Sequence, residues 1–444
     1  MRIIIAGAGE VGSHLAAMLS YEDQDIIVID SNTEHLNELN DRYNLSVVEG
    51  NPTMFAPLRE ADTGNCDLFI AVMPTESNNI VACSMARSLG AKRTVARISN
   101  YGFMDAQNTE FVQSMGVDRL IYPEYLAALE IRSALNITWA RNYFEILGGE
   151  IVVAGVKLRD GAPIVGMQLK EFATTNRQFH VSAIKRGHET IIPGGNDYLL
   201  SGDIIYVTLR NEHADELIRL CGKRNHRLHN IMIMGGSKIA NRLIALCGDE
   251  FDFNIIERDL NKCRKLLEKC PDAHVFHGDA RDPEVLQEAG IEQADAFIAL
   301  SDSSESNILA CLTAKESGVK KTIAEVEDLP YVAQAEGLNI GKVINKKLLA
   351  SSAIFQLLLD SDSSTSKCLA LTDAEVADME VKPGSKITRA AVKDLHLSRE
   401  MTIGGLIRNG KGELVTGLTR FLPGDHVVVF CLAGSLHKIE KLFN

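Results

Sequence analysis

No stretch of this 444-residue chain approaches the roughly 18 consecutive apolar residues of a membrane-spanning helix; the best runs, such as Val427–Leu432, are strand-length. The N-terminus has no basic region and no cleavage site, and Arg2–Ala6 is already a strand pattern, so no secretory signal is expected. The nine cysteines, scattered from Cys66 to Cys431, contain no Cys-x-x-Cys pair. Such a set reads as free thiols in a reducing cytosol, not as a disulfide framework. Positive charge is in deficit, and the net charge of −13 argues against nucleic acid and against docking on anionic lipid. Any membrane association must run through a protein partner.

Catalytic signatures are also missing. There is no G-x-S-x-G, no GxxxxGK[ST] and no HExxH, and none of the twelve histidines stands at metal-ligand or triad spacing. His14 reads as a partly exposed surface group, and His274 and His277 as local packing. A dehydrogenase needs a proton-transfer group near its nicotinamide, and none is visible. The chemistry present is recognition of a nucleotide.

What the chain does have is itself, twice. The run Gly7-Ala8-Gly9-Glu10-Val11-Gly12 returns as Gly235-Gly236-Ser237-Lys238-Ile239-Ala240, at an offset of 228. The same offset relates Asp67–Ala71 to Asp295–Ala299, Ala82-Cys83 to Ala310-Cys311, and Gly90–Lys92 to Gly318–Lys320. Strand patterns at Arg2–Ala6, Asp25–Ile29, Leu45–Val48, Leu68–Val72, Thr94–Ile98 and Arg119–Tyr122 alternate with helical ones, which predicts a doubly wound parallel sheet. From Phe144 to about Leu220 the pattern turns strand-rich, with strands expected at Ile151–Val156, His180–Lys185 and Ile204–Leu209. The small modules are themselves related, Gly202-Asp203 matching Gly424-Asp425. The expected fold is α/β: two Rossmann-like doubly wound domains (1–123 and 228–345), each followed by a small α+β domain (141–223 and 366–444). The serine-rich Asp360–Ser366 reads as a solvated hinge. Amphipathic helices near Tyr125–Leu135 and Leu348–Leu359 are candidate contacts between units, or else pack on their own sheets.

Gly7, Gly9 and Gly12 satisfy G-x-G-x-x-G between a strand and a helix. Their roles are a tight turn, close approach of a pyrophosphate, and helix–strand packing. The pyrophosphate would sit against free N–H groups at the positive end of the helix. Asp30, 18 residues after Gly12, ends the second strand where a carboxylate accepts from ribose hydroxyls. It would repel a 2′-phosphate, favouring NAD or an adenosine nucleotide over NADP. Asn51 follows the third strand, at the adenine edge or simply as a turn former. Met73, Pro74 and Glu76 follow the fourth strand, where open sheets place ligands. Asn78 and Asn79 there read equally as helix caps. Arg97 ends the fifth strand as a phosphate cation or a surface ion pair. In the second copy Gly235 survives and Gly236 stands where the first copy has Ala8, but Ser237 and Ala240 replace two glycines, and Ser237 crowds a pyrophosphate. Glu257 and Asp279 keep acids, Glu325 replaces Arg97, and Arg258 or Arg281 could partly compensate.

Together these residues, followed by a small α+β module, resemble the regulator-of-potassium-conductance (RCK, or KTN) family, and the tandem order without a membrane domain is the most specific part of the likeness. The resemblance implies NAD(H) binding, and ATP or ADP as further nucleotides. It also implies a homo-oligomeric ring, cytoplasmic and peripheral on the inner face of the plasma membrane, that gates a TrkH-type potassium-translocating subunit. Asn51, where the family usually has Asp, and Ser237 and Ala240 depart from its pattern. Two other readings stay open: a soluble NAD-dependent oxidoreductase, and a regulator of a different potassium transport system.

Overall fold

The computed structural model describes residues 1–20, 24–187, 189–338, 340–359, 369–371, 374–395, 397–398, 400–432 and 435–443. The segment Asp360–Ser366, read above as a hinge, lies outside them. The chain forms two compact units.

The first unit is built on six parallel strands: β1 (Arg2–Ala6), β2 (Asp25–Asp30), β3 (Ser46–Glu49), β4 (Leu68–Ala71), β5 (Thr94–Arg97) and β6 (Arg119–Ile121). They lie in the order β3-β2-β1-β4-β5-β6, so the chain reverses direction between β1 and β4 and opens a crevice at their carboxyl ends. Ile3, Ile4 and Ile5 are wholly buried, as expected of a central parallel strand covered on both faces. The sequence placed every one of these strands to within a residue.

This unit is completed by a helix from far along the chain. Lys346–Leu359 lies on the glycine-loop helix Glu10–Ser20. Ser351 Oγ donates to the Val11 carbonyl at 3.4 Å, Lys347 pairs with Glu10, and the Arg93 guanidinium donates to the Leu357 carbonyl at 3.3 Å. The helix that follows the second sheet therefore packs on the first copy, not on its own sheet.

The second unit contains the first small sheet, of β7 (Asn142–Ile146), β8 (Ile151–Lys157), β9 (Phe179–Arg186), β10 (Glu189–Ile191) and β11 (Ile204–Arg210), in the order β10-β9-β11-β8-β7. The sequence missed β7 and β10, edge strands with polar residues and little apolar alternation. Next comes the second parallel sheet, of β12 (Asn230–Met234), β13 (Asp252–Glu257), β14 (His274–His277), β15 (Ala296–Ala299), β16 (Lys321–Glu325) and β17 (Lys342–Ile344), ordered β14-β13-β12-β15-β16-β17. The helix after the first sheet joins this unit from Ala128 onward, Glu130 pairing with Lys342 and Arg132 with Glu250. Each copy thus receives the other's trailing helix. The matched Asp67 and Asp295 also do one job: at the start of its sheet Asp67 accepts from the Arg2 N–H and Asp295 from the His229 and Asn230 N–H groups, and each pairs with a lysine, Lys92 or Lys320.

The last sheet holds β18 (Leu369–Leu371), β19 (Ala374–Glu380), β20 (Met401–Arg408), β21 (Lys411–Leu414) and β22 (His426–Leu432), ordered β18-β19-β22-β20-β21. The two small sheets share one core in which Ile151, Val153 and Tyr206 meet Val376, Val428 and Phe430. Gly404 permits this approach, because a methyl there would overlap the Thr208 hydroxyl. His180 hydrogen-bonds Thr402 Oγ1 across the two sheets at 3.0 Å, and burial lowers its pKa to about 4. An unfolded histidine titrates near 6.5, so protons favour the unfolded chain and stability falls as pH drops from about 6.5 toward 4. Urea unfolding at pH 7.5 and pH 5 should show a loss of about 1–2 kcal/mol that His180→Gln abolishes.

The eight described cysteines are buried free thiols, and burial pushes Cys66, Cys221, Cys247 and Cys311 up to about 12. Among the described residues no helix is long and apolar enough to cross a membrane, and no group of three or more His, Cys, Asp or Glu could hold a metal ion.

Candidate nucleotide site

The glycine loop of the first copy turns from β1 into Glu10–Ser20. Its three glycines answer to three different constraints. Gly7 sits at φ +114°, where a side chain is strained, and donates its N–H to the Ile29 carbonyl at 2.9 Å. Gly12 is held against the loop, and a methyl there would overlap the Gly7 carbonyl oxygen. Gly9 is exposed, and a methyl there would meet nothing within 4 Å. Neither packing nor backbone strain therefore requires glycine at position 9, and the direction a side chain would take is open space beside the helix N-terminus.

Asp30 closes the other side of the loop. One carboxylate oxygen accepts from the Ala8 N–H at 2.5 Å and the other from the Asn32 N–H at 2.8 Å, which leaves its remaining lone pairs at the crevice. Arg97 stands at the carboxyl end of β5, two strand spacings (about 10 Å) from β1. The residue is half-buried, and its guanidinium has no hydrogen-bond or ion-pair partner among the described residues.

Other candidate residues sit nearby with local duties. Glu10 and Val11 face the incoming helix through Lys347 and Ser351. Asn51 accepts from the Thr53 N–H and hydroxyl at 2.9 and 2.8 Å, which is turn-former geometry. Glu76 accepts from the Ser99 N–H at 2.8 Å, pinning a helix start to the end of β5. Pro74 is exposed on the loop after β4, and Met73 is buried. Asn79 is 1% exposed and caps nothing: its amide accepts from Met73 N–H and donates to the Met73 and Arg97 carbonyls. Asn307 does the same in the second copy, bridging Ser301 to the Glu325 carbonyl. Sequence reasoning missed this bridge, although the two asparagines stand at the repeat offset of 228.

The second copy keeps the loop and changes its lining. Gly235, at φ +97°, donates to the Ile256 carbonyl at 2.8 Å. Glu257 reproduces the Asp30 clasp, accepting from Gly236 N–H at 2.7 Å and Asp259 N–H at 2.8 Å. The extra methylene of Glu257 is matched by the Cβ lost between Ala8 and Gly236: a methyl at Gly236 would lie 3.2 Å from the Glu257 carboxylate and 2.6 Å from Leu266. Ser237 Oγ accepts from the Ala240 N–H at 3.3 Å, so this loop caps its own helix where the first leaves the space open. Asp279 is bound by Arg281 at 2.6 Å, with Arg258 at 3.9 Å, and the Arg281 hydrogen bond holds its carboxyl down to about 2. Both arginines are thus turned toward that acid. Gly235, Gly236, Ser237, Glu257 and Asp279 do share one cleft, but of only about 70 Å³. Ordinary ligand sites measure roughly 300–1,000 Å³. Glu325, in the place of Arg97, is 3% exposed.

Two doubly wound sheets with glycine loops, each followed by a small antiparallel module, define a duplicated Rossmann-like protein of four modules. Comparison with known proteins specifies it further. The TrkA-N domain model matches residues 3–123 and 231–346, and the TrkA-C domain model residues 153–222 and 376–444. The Trk system potassium uptake protein TrkA of Haemophilus influenzae is 30% identical over 451 residues, covering 100% of this chain and 98% of that protein. The chain belongs to the TrkA family of potassium uptake proteins. Among solved structures, the GsuK RCK domain matches 99% of this chain and 94% of its own, at 18% identity and a TM-score of 0.60. The GsuK channel bound to NAD covers 100% of this chain and 78% of its own, at 16% identity and a TM-score of 0.60. At those identities the likeness is one of fold.

Proposed function

We propose that this chain is a nucleotide-sensing regulatory subunit, not an enzyme, of a potassium transport system. Its domains are 1–123, 141–223, 228–345 and 366–444, and its primary ligand is NAD(H), with ATP or ADP as further nucleotides. It acts in the cytoplasm as a homo-oligomeric ring beneath a TrkH-type potassium-translocating membrane subunit. The observation that carries this reading is the pairing of an exposed Gly9 with a half-buried Arg97 that has no partner among the described residues. One offers open space at a helix N-terminus and the other an uncompensated cation, on the same sheet edge. The relatives' role in potassium uptake and the NAD captured by the GsuK channel support it.

Ligand binding at the loop has a route outward. The helix that receives the phosphate, Glu10–Ser20, is the one on which Lys346–Leu359 rests through Glu10, Val11 and Ser351. A nucleotide that alters the setting of that helix shifts the second copy's trailing helix with it. It regulates only by its differential affinity for two such arrangements, so NADH and NAD, or ATP and ADP, must favour them unequally.

Isothermal titration with NADH, NAD, ATP and ADP tests the site. Arg97→Ala should weaken the tightest of them about tenfold or more, the loss of a charge-assisted hydrogen bond. Unchanged affinity would remove Arg97 from the site, and turnover of NADH by the isolated chain would favour the oxidoreductase reading.

A further inference from the structure

The sheet edge opposite the second glycine loop carries a different site. Residues at the starts of β16 and β17 meet the chain before β7, the end of β8 and the segment after the helix Ala214–Leu220 around a cavity of about 460 Å³. Nine of its sixteen lining residues are Lys or Arg and none is Asp or Glu. This is a concentration of positive charge in a chain whose net charge is −13.

Two of the nine are neutralised from outside the cavity, Lys320 by Asp295 and Lys342 by Glu130. Lys157, Arg159, Lys223, Arg224 and Lys321 have no carboxylate partner among the described residues. Their mutual repulsion is visible in their chemistry. Burial brings Lys223 down to about 8, with Arg159, Arg141 and Lys157 adding to the effect. Burial, together with Lys342 and Arg141, brings Lys321 down to about 7. Packed cations of this kind are costly to the fold unless an anion answers them.

We propose that this cavity is a binding site for a small oligophosphate, a ligand carrying several phosphate charges in a row. The volume lies within the range of ordinary ligand sites and far exceeds the ~30 Å³ of one water, so a single ion leaves it mostly empty. The arginines and lysines reach it from separate elements, which suits a ligand whose charges are spread along a chain. Lys315, in the last turn of Ser304–Glu316, adds a cation from a third direction. The site lies at the amino edge of the second sheet, while the glycine loops lie at carboxyl edges. The proposal therefore stands apart from the nucleotide reading above.

Inorganic tripolyphosphate is the probe, with ATP and orthophosphate as further arms, measured on the full chain by calorimetry and thermal melting. Wild type should bind one tripolyphosphate per chain more tightly than orthophosphate, with a rise in Tm. Lys223→Gln and Lys321→Gln should each weaken binding about tenfold, roughly the loss of one charge-assisted contact. Each should also raise the Tm of the free chain, because it relieves repulsion; a purely structural lysine would lower it. Gly9→Glu should leave tripolyphosphate binding intact. If ATP binds Gly9→Glu as tightly as tripolyphosphate does, the source is a nucleotide's phosphate tail; if only tripolyphosphate binds it, the source is the free oligophosphate. No binding by folded wild type would overturn the proposal. So would loss of binding in Gly9→Glu, which moves the phosphate to the glycine loop, or unchanged affinity in both lysine variants.

Discussion

Gly9→Glu should abolish NAD(H) binding, by at least about a hundredfold in affinity, while leaving the chain folded. The two halves of that result have separate causes. The fold is spared because a side chain at position 9 enters open space and the backbone there is not in the left-handed region. Binding is lost because a carboxylate occupies the place of the pyrophosphate, and like charges in one site cost several kcal/mol, where 2.7 already amounts to a hundredfold. Gly12→Ala is the contrasting variant: a single methyl overlaps the Gly7 carbonyl oxygen, so it should disturb the loop itself and lower Tm without any ligand. Calorimetric titration together with melting curves of both variants separates the two effects. Intact nucleotide binding in Gly9→Glu would show that the primary site lies elsewhere.

Asp203→Ala and Asp425→Ala should each destabilise the chain by about 2–4 kcal/mol. These acids are 1% and 2% exposed, and their surroundings are duplicates. Asp203 accepts from the Arg186 guanidinium at 2.8 and 2.7 Å and from the Leu200 N–H at 2.9 Å. Asp425 accepts from Arg408 at 2.8 and 2.7 Å and from the Leu422 N–H at 2.7 Å. Breaking a buried pair by removing one partner typically costs about 3–5 kcal/mol. The partial exposure of both arginines lets water recover some of that cost, hence the lower range. Urea unfolding monitored by circular dichroism measures it, and a change under about 0.5 kcal/mol would mean the turn holds without its acid.

The matching Gly-Asp turns were visible in the sequence as a repeat, but the arginine that gives each acid its importance was not. Arg186 and Arg408 lie on neighbouring strands, 17 residues before their acids, and only antiparallel pairing brings them together. The first glycine loop was more legible. Gly7, Gly12 and Asp30 act within one β-α-β segment, where spacing along the chain fixes position in space. The alteration of the second copy could also be read from Ser237. Its self-capping hydrogen bond and the Gly236–Glu257 exchange of volume needed coordinates. Asn79 reads from sequence equally as a ligand-side residue or a helix cap, whereas its partners lie on the loop after β4 and at the end of β5.

Sequence by itself determined the duplication, the two parallel sheets and the inequality of their glycine loops, because each is written in local periodicity or in motifs that close within about 30 residues. Tertiary structure alone decided three things: that each copy receives the other's trailing helix, that the two small sheets share a core, and that scattered lysines and arginines converge on one cavity. An apolar stripe or a lone lysine has no signature of its partner, and these partners stand scores to hundreds of residues away, from Arg141 to Lys342 around the cavity and from Val11 to Ser351 between the helices.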